Sequence, residues 1–437
     1  MDYLPNVIFA IALLLGIGFF VSNVLKLVRN IKLGKDLDRS DNKPERWKNM
    51  LRIALGQSKM VSRPIAGFLH IVVYIGFVVI NIEVLEIIID GLFGTHRVFQ
   101  PLLGNSIYGF LIGTFEILAF LVLVAVIIFW LRRNIVQLKR FMSKEMKGWP
   151  KNDGNLILYF EIVLMSLFIL MNATDYSFQQ AGFGNPISQF VAPWFSEYPL
   201  ETLSSIEHTA WWAHIIGILI FLNYLYYSKH LHILLAFPNT FYANLQPKGQ
   251  FNNLSSVTKE VRMMMDPDAD PYAMPEEGAE EEIPEKFGAS DVTDLNWVQL
   301  LNAYTCTECG RCTSSCPANM TGKELSPRAI MMKTRDRLEE VGRNIDSNKG
   351  TFKDDGKQLL NDYITPEELW ACTSCNACVE ECPIDIDPLS IIMDMRRFLV
   401  MEQSAAPQEL NMMMTNIENN GAPWQYNQQD RLNWKDE

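Results

Sequence analysis

The sequence predicts an all-α protein in two parts: a bundle of five transmembrane helices, then a helical domain on the cytoplasmic side. Three observations predict this. Almost all of the long apolar runs fall in about the first 240 of the 437 residues, although 49% of the whole chain is hydrophobic. Lys and Arg crowd into alternate loops between those runs. All eight cysteines lie in the second half, in two copies of one spacing, where strand patterns are scarce. The net charge of −12 is concentrated in that half and leaves no basic face for nucleic acid. The expected divisions are a membrane domain over 1–249, an acidic linker over 250–290, a cysteine domain over 291–404 and a tail over 405–437.

A bilayer core takes about 20 mainly apolar residues in a helix, and stretches 5–28, 64–89, 107–131, 156–173 and 205–227 meet that need. The first lacks the basic flank and small-residue site of a cleaved signal, so it is expected to remain as a helix. Eleven Lys and Arg lie between Lys26 and Arg63, and seven between Arg132 and Lys151. The loop between spans two and three holds only Arg97, and the next loop at that end holds none. Because positive residues accumulate in cytoplasmic loops, the N-terminus is expected outside and everything after span five inside. That puts the cysteines in a reducing compartment, where disulfides are not expected.

Six histidines are present, and an ionisable or ligating side chain within a span points to function because burying it alone is costly. His214 and His232 are eighteen residues apart, five turns if one helix carries both, which places them on one face about 27 Å apart. His70 matches the depth of His232 near the cytoplasmic end. The expectation is that His70 and His232 form the axial pair of an inner haem b, and that His214 ligates a second, outer haem. Span two offers Ile80 and Asn81 where the partner of His214 is wanted, which leaves His96 in the outer loop as the candidate. His208 and His230 read as interfacial from their rotational positions. Of the carboxylates within spans, Glu116 and Glu161 are candidate proton carriers for quinone chemistry.

Between the spans and the cysteines, Pro267, Pro271, Pro275 and Pro284 interrupt a stretch that includes the acidic run 276–285, too polar to build a core. Beyond it, 296–304, 326–341 and 389–401 carry helical patterns, with Pro327 and Pro388 where a first helical turn tolerates proline. Cys306, Cys309, Cys312, Cys316 and Pro317 form the first cysteine phrase; Cys372, Cys375, Cys378, Cys382 and Pro383 form the second. Each reads C-x2-C-x2-C-x3-C-P, the run by which bacterial two-cluster ferredoxins hold iron–sulfur clusters, the fourth thiolate serving the other cluster. Zinc sites favour paired C-x2-C knuckles instead. The expected ligands are Cys306, Cys309, Cys312 and Cys382 for one [4Fe–4S] cluster, and Cys372, Cys375, Cys378 and Cys316 for the other. The 412–414 methionine run and the Asn/Gln-rich end cannot form a core, and Trp424, Tyr426 and Trp434 are candidate anchors for a partner.

With His214, Ser228, Lys229 and His232, span five resembles the last helix of the haem b subunit of membrane-bound nitrate reductases, and His70 matches that family's inner ligand on its second helix. Ile80 stands where the family has its outer ligand. The cysteine domain resembles the two-cluster subunit of heterodisulfide reductases. Joined, the two parts are similar to membrane-bound electron-transfer-flavoprotein:menaquinone oxidoreductases over most of residues 1–400. The resemblance implies a haem b bundle followed by a two-cluster ferredoxin domain in a bacterial inner membrane, taking electrons from an electron-transfer flavoprotein to menaquinone. It also implies a CCG-motif iron–sulfur domain, here expected on a partner chain. Two further readings are the reverse flow, from quinol to a disulfide, and a redox-sensing or anchoring module without turnover.

Overall fold

Five helices long and apolar enough to cross a membrane fill the first half of the computed structural model, which describes residues 3–267 and 286–436. They run Leu4–Ile31, Pro64–Phe93, Phe99–Asn134, Trp149–Thr174 and Leu200–Tyr227. Pro5, Pro64 and Pro150 sit in the first turns of the first, second and fourth spans, where a missing N–H costs nothing. The third helix breaks at Gly104 (φ 76°, ψ 157°), so its membrane-crossing part begins close to the expected residue 107. Spans two to five pack each against the next, and span one closes the bundle against spans two and five. Close approach rests on small residues: a Cβ added to Gly91 would meet the Phe9 ring at 2.6 Å. Leu14, Phe68 and Phe110 point outward and are exposed, as lipid-facing residues would be.

Among the described residues the second half has no strand beyond isolated bridges. Its core is made by Trp297–Thr305, Pro327–Ser347 and Pro388–Met401, which bury Leu300, Ala303, Ile330, Leu338, Ile391 and Met395. The capping residues are legible in the sequence. Asn296 accepts from the amides of Val298 and Gln299 while the Gln299 side chain returns to the Asn296 N–H. Ser326 and Asp387 cap the helices that open on Pro327 and Pro388. The middle helix runs six residues past the expected 341 because Ile345 prolongs the buried face of Leu338 and Val341.

One expected boundary lies earlier in the structure. Packing of the cysteine domain begins at Lys286, ahead of 291, since Lys286 Nζ bonds Ser290 and Asp294, and Ala289 N–H donates to Asp394 O. Pro271, Pro275, Pro284 and the acidic run 276–285 lie outside the described residues; before them, Ser255–Met265 forms a helix with no buried residue. In the tail, Gln408–Asn420 is helical, and Met412, Trp424, Tyr426 and Trp434 are exposed.

The two halves meet at the end of the bundle that carries the basic loops. Lys35 N–H donates to Leu295 O at 2.8 Å and Trp297 N–H to Lys35 O at 3.1 Å. Lys59 pairs with Asp385 at 2.6 Å, and Arg63 and Arg311 both pair with Glu381. Asn30 donates to the buried Tyr304 hydroxyl at 2.9 Å, and Asn239 to Ile384 O at 2.7 Å. The buried contacts matter most here, because exposed ion pairs contribute little.

Candidate functional site

The two cysteine loops repeat one backbone. Glu308 (φ 54°) and Gly310 (φ 72°) flank Cys309 in left-handed turns, and Ser374 (φ 51°) and Asn376 (φ 60°) flank Cys375 likewise. Glycine and asparagine are the residues that tolerate this region best. These turns wrap the first loop around a space. Cys306, Cys309, Cys312, Cys378 and Cys382 line one small cavity together with Gly310, Met331 and Ile386. Cys372 has Cys316 and Cys375 as neighbours, and Cys378 has Cys372 and Cys316. Cys382 thus stands with the first motif's three and Cys316 with Cys372 and Cys378, while Cys378 borders both groups. Among the described residues no three ligating side chains close round a single point, as they would for one zinc ion. Each sulfur of an iron–sulfur cage binds its own iron, so a wider set of four suits it.

The donor set fits such a group chemically. Burial, with neighbouring thiols adding to it, pushes the Cys306 thiol up to about 11 and the Cys378 thiol up to about 12, and raises Cys312 and Cys382 as well. Such thiols hold their protons at neutral pH unless a metal displaces them. Backbone amides support the sulfurs: Ile386 N–H reaches Cys382 Sγ at 3.3 Å and Ser374 N–H reaches Cys372 Sγ at 3.4 Å. Cys375 is exposed, whereas Cys306 and Cys382 are buried.

The loop of the first motif rests on the segment that follows span five. Glu308, between Cys306 and Cys309, pairs with Lys229 Nζ and accepts from Arg335 at 2.8 Å. Lys229 O accepts from His232 Nδ1 at 3.1 Å. One residue therefore touches both the cysteine loop and a candidate ligand. Asp153 holds this turn from the fourth span, accepting from the Tyr224 hydroxyl at 2.5 Å and from Lys229 N–H at 3.2 Å.

His70 and His232 come together with ring centroids 6.4 Å apart. Two imidazoles opposed across one metal, each at a bond length of roughly 2 Å, place their centroids roughly 6 Å apart. His70 Nδ1 is buried with no partner, and the Nδ1 of His232 is occupied by Lys229 O, which leaves its Nε2 for a metal. These residues fit an axial pair. The five-turn argument that linked His232 to His214 does not hold, because the helix ends at Tyr227 and Ser228 is extended (φ −115°, ψ 145°). Ser228 Oγ accepts from His230 N–H and starts a new turn, so His232 opens a separate helix, His232–Phe241. His230 packs 5.5 Å from the His232 ring and 5.4 Å from Phe221.

The outer pair is not assembled. His214 is buried, with Nδ1 on Leu164 O at 3.0 Å and its ring 6.2 Å from Phe168. His96 lies beside Asp175 (3.4 Å) and Glu207 (4.0 Å), and Glu207 is two turns from His214 on the same helix, about 10 Å. In this structure His96 stands in a polar network centred on the buried Arg97, with which it shares Asp175, and not opposite His214. Arg97 donates to Asp175 at 2.9 Å, to Asn172 at 2.9 Å and to the Tyr108 hydroxyl at 3.3 Å. Glu116, expected as a proton carrier, has both oxygens engaged: it accepts from Asn172 at 3.0 Å and from the amides of Ile187 and Ser188 at 2.9 and 3.0 Å. It anchors the loop between spans four and five. Glu161 is buried on span four, one turn before Leu164.

Fold and cysteine geometry together define a membrane protein that carries a dicluster ferredoxin-type iron–sulfur domain, and residues 305–386 match the 4Fe-4S dicluster domain family. Over 98% of its length the chain is similar to the "Probable iron-sulfur-binding oxidoreductase FadF" of Bacillus subtilis (29% identical) and to the "EtfAB:quinone oxidoreductase" of Syntrophomonas wolfei (25% identical). It spans 60% and 59% of the length of those two proteins. A quarter of it is 31% identical to one of the subunits of the ferredoxin/F(420)H(2)-dependent CoB-CoM heterodisulfide reductase of Methanosarcina acetivorans, covering 53% of that protein. No solved structure matches the chain.

Proposed function

We propose that the chain is an oxidoreductase subunit that passes electrons from a cytoplasmic donor, an electron-transfer flavoprotein or a CCG-domain partner, through two [4Fe–4S] clusters and haem b to menaquinone. The observation that carries this reading is the junction: the first cysteine loop sits on Lys229 through Glu308, and Lys229 O holds His232, which faces His70. Haem b bound between His70 and His232 would supply a one-electron carrier at the membrane surface. The residues do the rest. Lys229 fixes the His232 tautomer, the bundle excludes water from His70, and Cys375 at the exposed edge of the second cage faces incoming donors. Glu161 is a carboxyl available within the bundle for proton exchange.

The membrane is a bacterial inner membrane, with the N-terminus outside and the cysteine domain in the cytoplasm. Flow in the opposite direction, from quinol to a disulfide on a CCG-type partner, uses the same parts, as the likeness to a heterodisulfide reductase implies. A redox-sensing or anchoring module would hold the clusters without turnover. Reduced-minus-oxidised spectra of the purified protein, with reduced flavoprotein and with menaquinol as donors, decide among them. Haem and clusters reduced by flavoprotein and reoxidised by menaquinone are expected. Reduction by menaquinol alone gives the reverse reading, and no response to either donor gives the non-enzymatic one.

A further inference from the structure

Asp90, Glu86 and Glu83 stack along one buried face of span two, a turn apart, from the end remote from the cysteine domain inward. Asp90, the outermost, accepts from the hydroxyl of exposed Thr95 at 2.5 Å and from Arg97 N–H at 2.8 Å. Glu86 accepts from the Tyr108 hydroxyl at 3.0 Å and from Phe99 N–H at 2.9 Å. Glu83 lies about 15 Å inward of the helix end; it is 3% exposed, and its Oε2 has no hydrogen-bond partner. Its charged neighbours are Arg97, Glu86 and Glu116. Arg97 stays a cation and is bound to Asp175, Asn172 and Tyr108, while Glu116 is saturated. One committed cation does not balance three buried carboxylates, and Glu83, with no partner on Oε2, is the one placed to hold a proton. An unpartnered carboxyl at the row's inner end is where a proton is handed on.

We propose that Asp90, Glu86 and Glu83 form a proton ladder from the surface at Thr95 to a quinone reduced within the bundle. This rests on the quinone reading above. Reduction of one quinone takes two electrons, drawn from the reduced clusters, and two protons, one for each carbonyl oxygen. Glu83 gives up each proton and is refilled from Glu86, then from Asp90, then from water beside Thr95. The ladder therefore consumes protons on the side away from the iron–sulfur domain.

The test uses the full chain in vesicles, with clusters reduced by dithionite, a soluble menaquinone analogue as acceptor and a pH dye in either compartment. Alkalinisation on the Thr95 side is expected, and Glu83→Gln and Asp90→Asn should each slow quinone reduction at least tenfold while cluster EPR spectra stay unchanged. Protons drawn from the cysteine-domain side, or wild-type rates in both variants, overturn the ladder and leave the quinone reading standing. If the wild type reduces no quinone although its clusters are intact, that reading falls, and infrared spectroscopy still judges the ladder. A carboxyl band lost in Glu83→Gln should exchange into D2O within seconds in the wild type and at least tenfold more slowly in Asp90→Asn. Absence of that band, or equal exchange in both proteins, overturns the ladder.

Discussion

At the scale of single residues, the junction depends on Lys229, whose ammonium reaches Glu308 while its carbonyl holds His232. Burial opposes ionisation of Glu308, yet Lys229 and Arg335 hold its carboxyl below the usual range. The sign follows: the pair stabilises docking above the unfolded value of about 4.3, and that contribution is lost as pH falls through the lower folded value. Glu308→Gln removes one of the two carboxylates beside the buried Lys229 ammonium, Asp153 remaining at 3.7 Å, and should cost about 1.5–3 kcal/mol. Hydrogen exchange at 228–232 reads this, as faster exchange in the variant at pH 7 and in the wild type only under acid; equal protection in both would remove Glu308 from the junction. The paired rings yield a second expectation. His70→Ala and His232→Ala should each abolish the same haem, and His96→Ala should spare it, as judged by pyridine haemochrome and EPR. If His214→Ala alone removes the haem, the axial pair is misassigned.

At the scale of elements, the cysteine domain was legible because spacing carries the chemistry: the doubled phrase lies within the stretch that matches the 4Fe-4S dicluster family, and the ferredoxin rule proposes which sulfurs join across the motifs. Cys316→Ser should therefore damage the cluster whose other ligands are Cys372, Cys375 and Cys378, with EPR of the first cluster retained. Loss confined to the first cluster would break the crossed scheme. The spans were equally legible, since length and hydropathy set them. Helix continuity through Ser228 was not. Apolar periodicity runs on past Tyr227, and only the capping tendency of serine warns of a break there. His70 and His232 still meet, because matching depth on neighbouring elements does not need a shared helix axis. The Arg97 network was hidden for a different reason: Glu86, Tyr108, Asn172 and Asp175 come from three spans and a loop, and no local pattern announces their convergence.

At the scale of the whole molecule, charge ties the two halves together. The Lys and Arg that the positive-inside rule uses to orient the bundle are in part the residues that receive the acidic cysteine domain: Lys59 meets Asp385, Arg63 meets Glu381, and Arg29 meets Asp346. Docking and the orientation proposed above thus draw on the same side chains, and on that reading the basic end faces the compartment in which the thiols stay reduced. A reporter that is active only in an oxidising compartment should work when fused near Asn185, at the end remote from the cysteines, and fail near Lys248. Iron and acid-labile sulfide in anaerobically prepared protein should each approach about eight per chain. The opposite reporter pattern would place the cysteines where disulfides form, and the iron content would then fall with it. Agreement of both measurements is the expected outcome, because one distribution of charge governs the two.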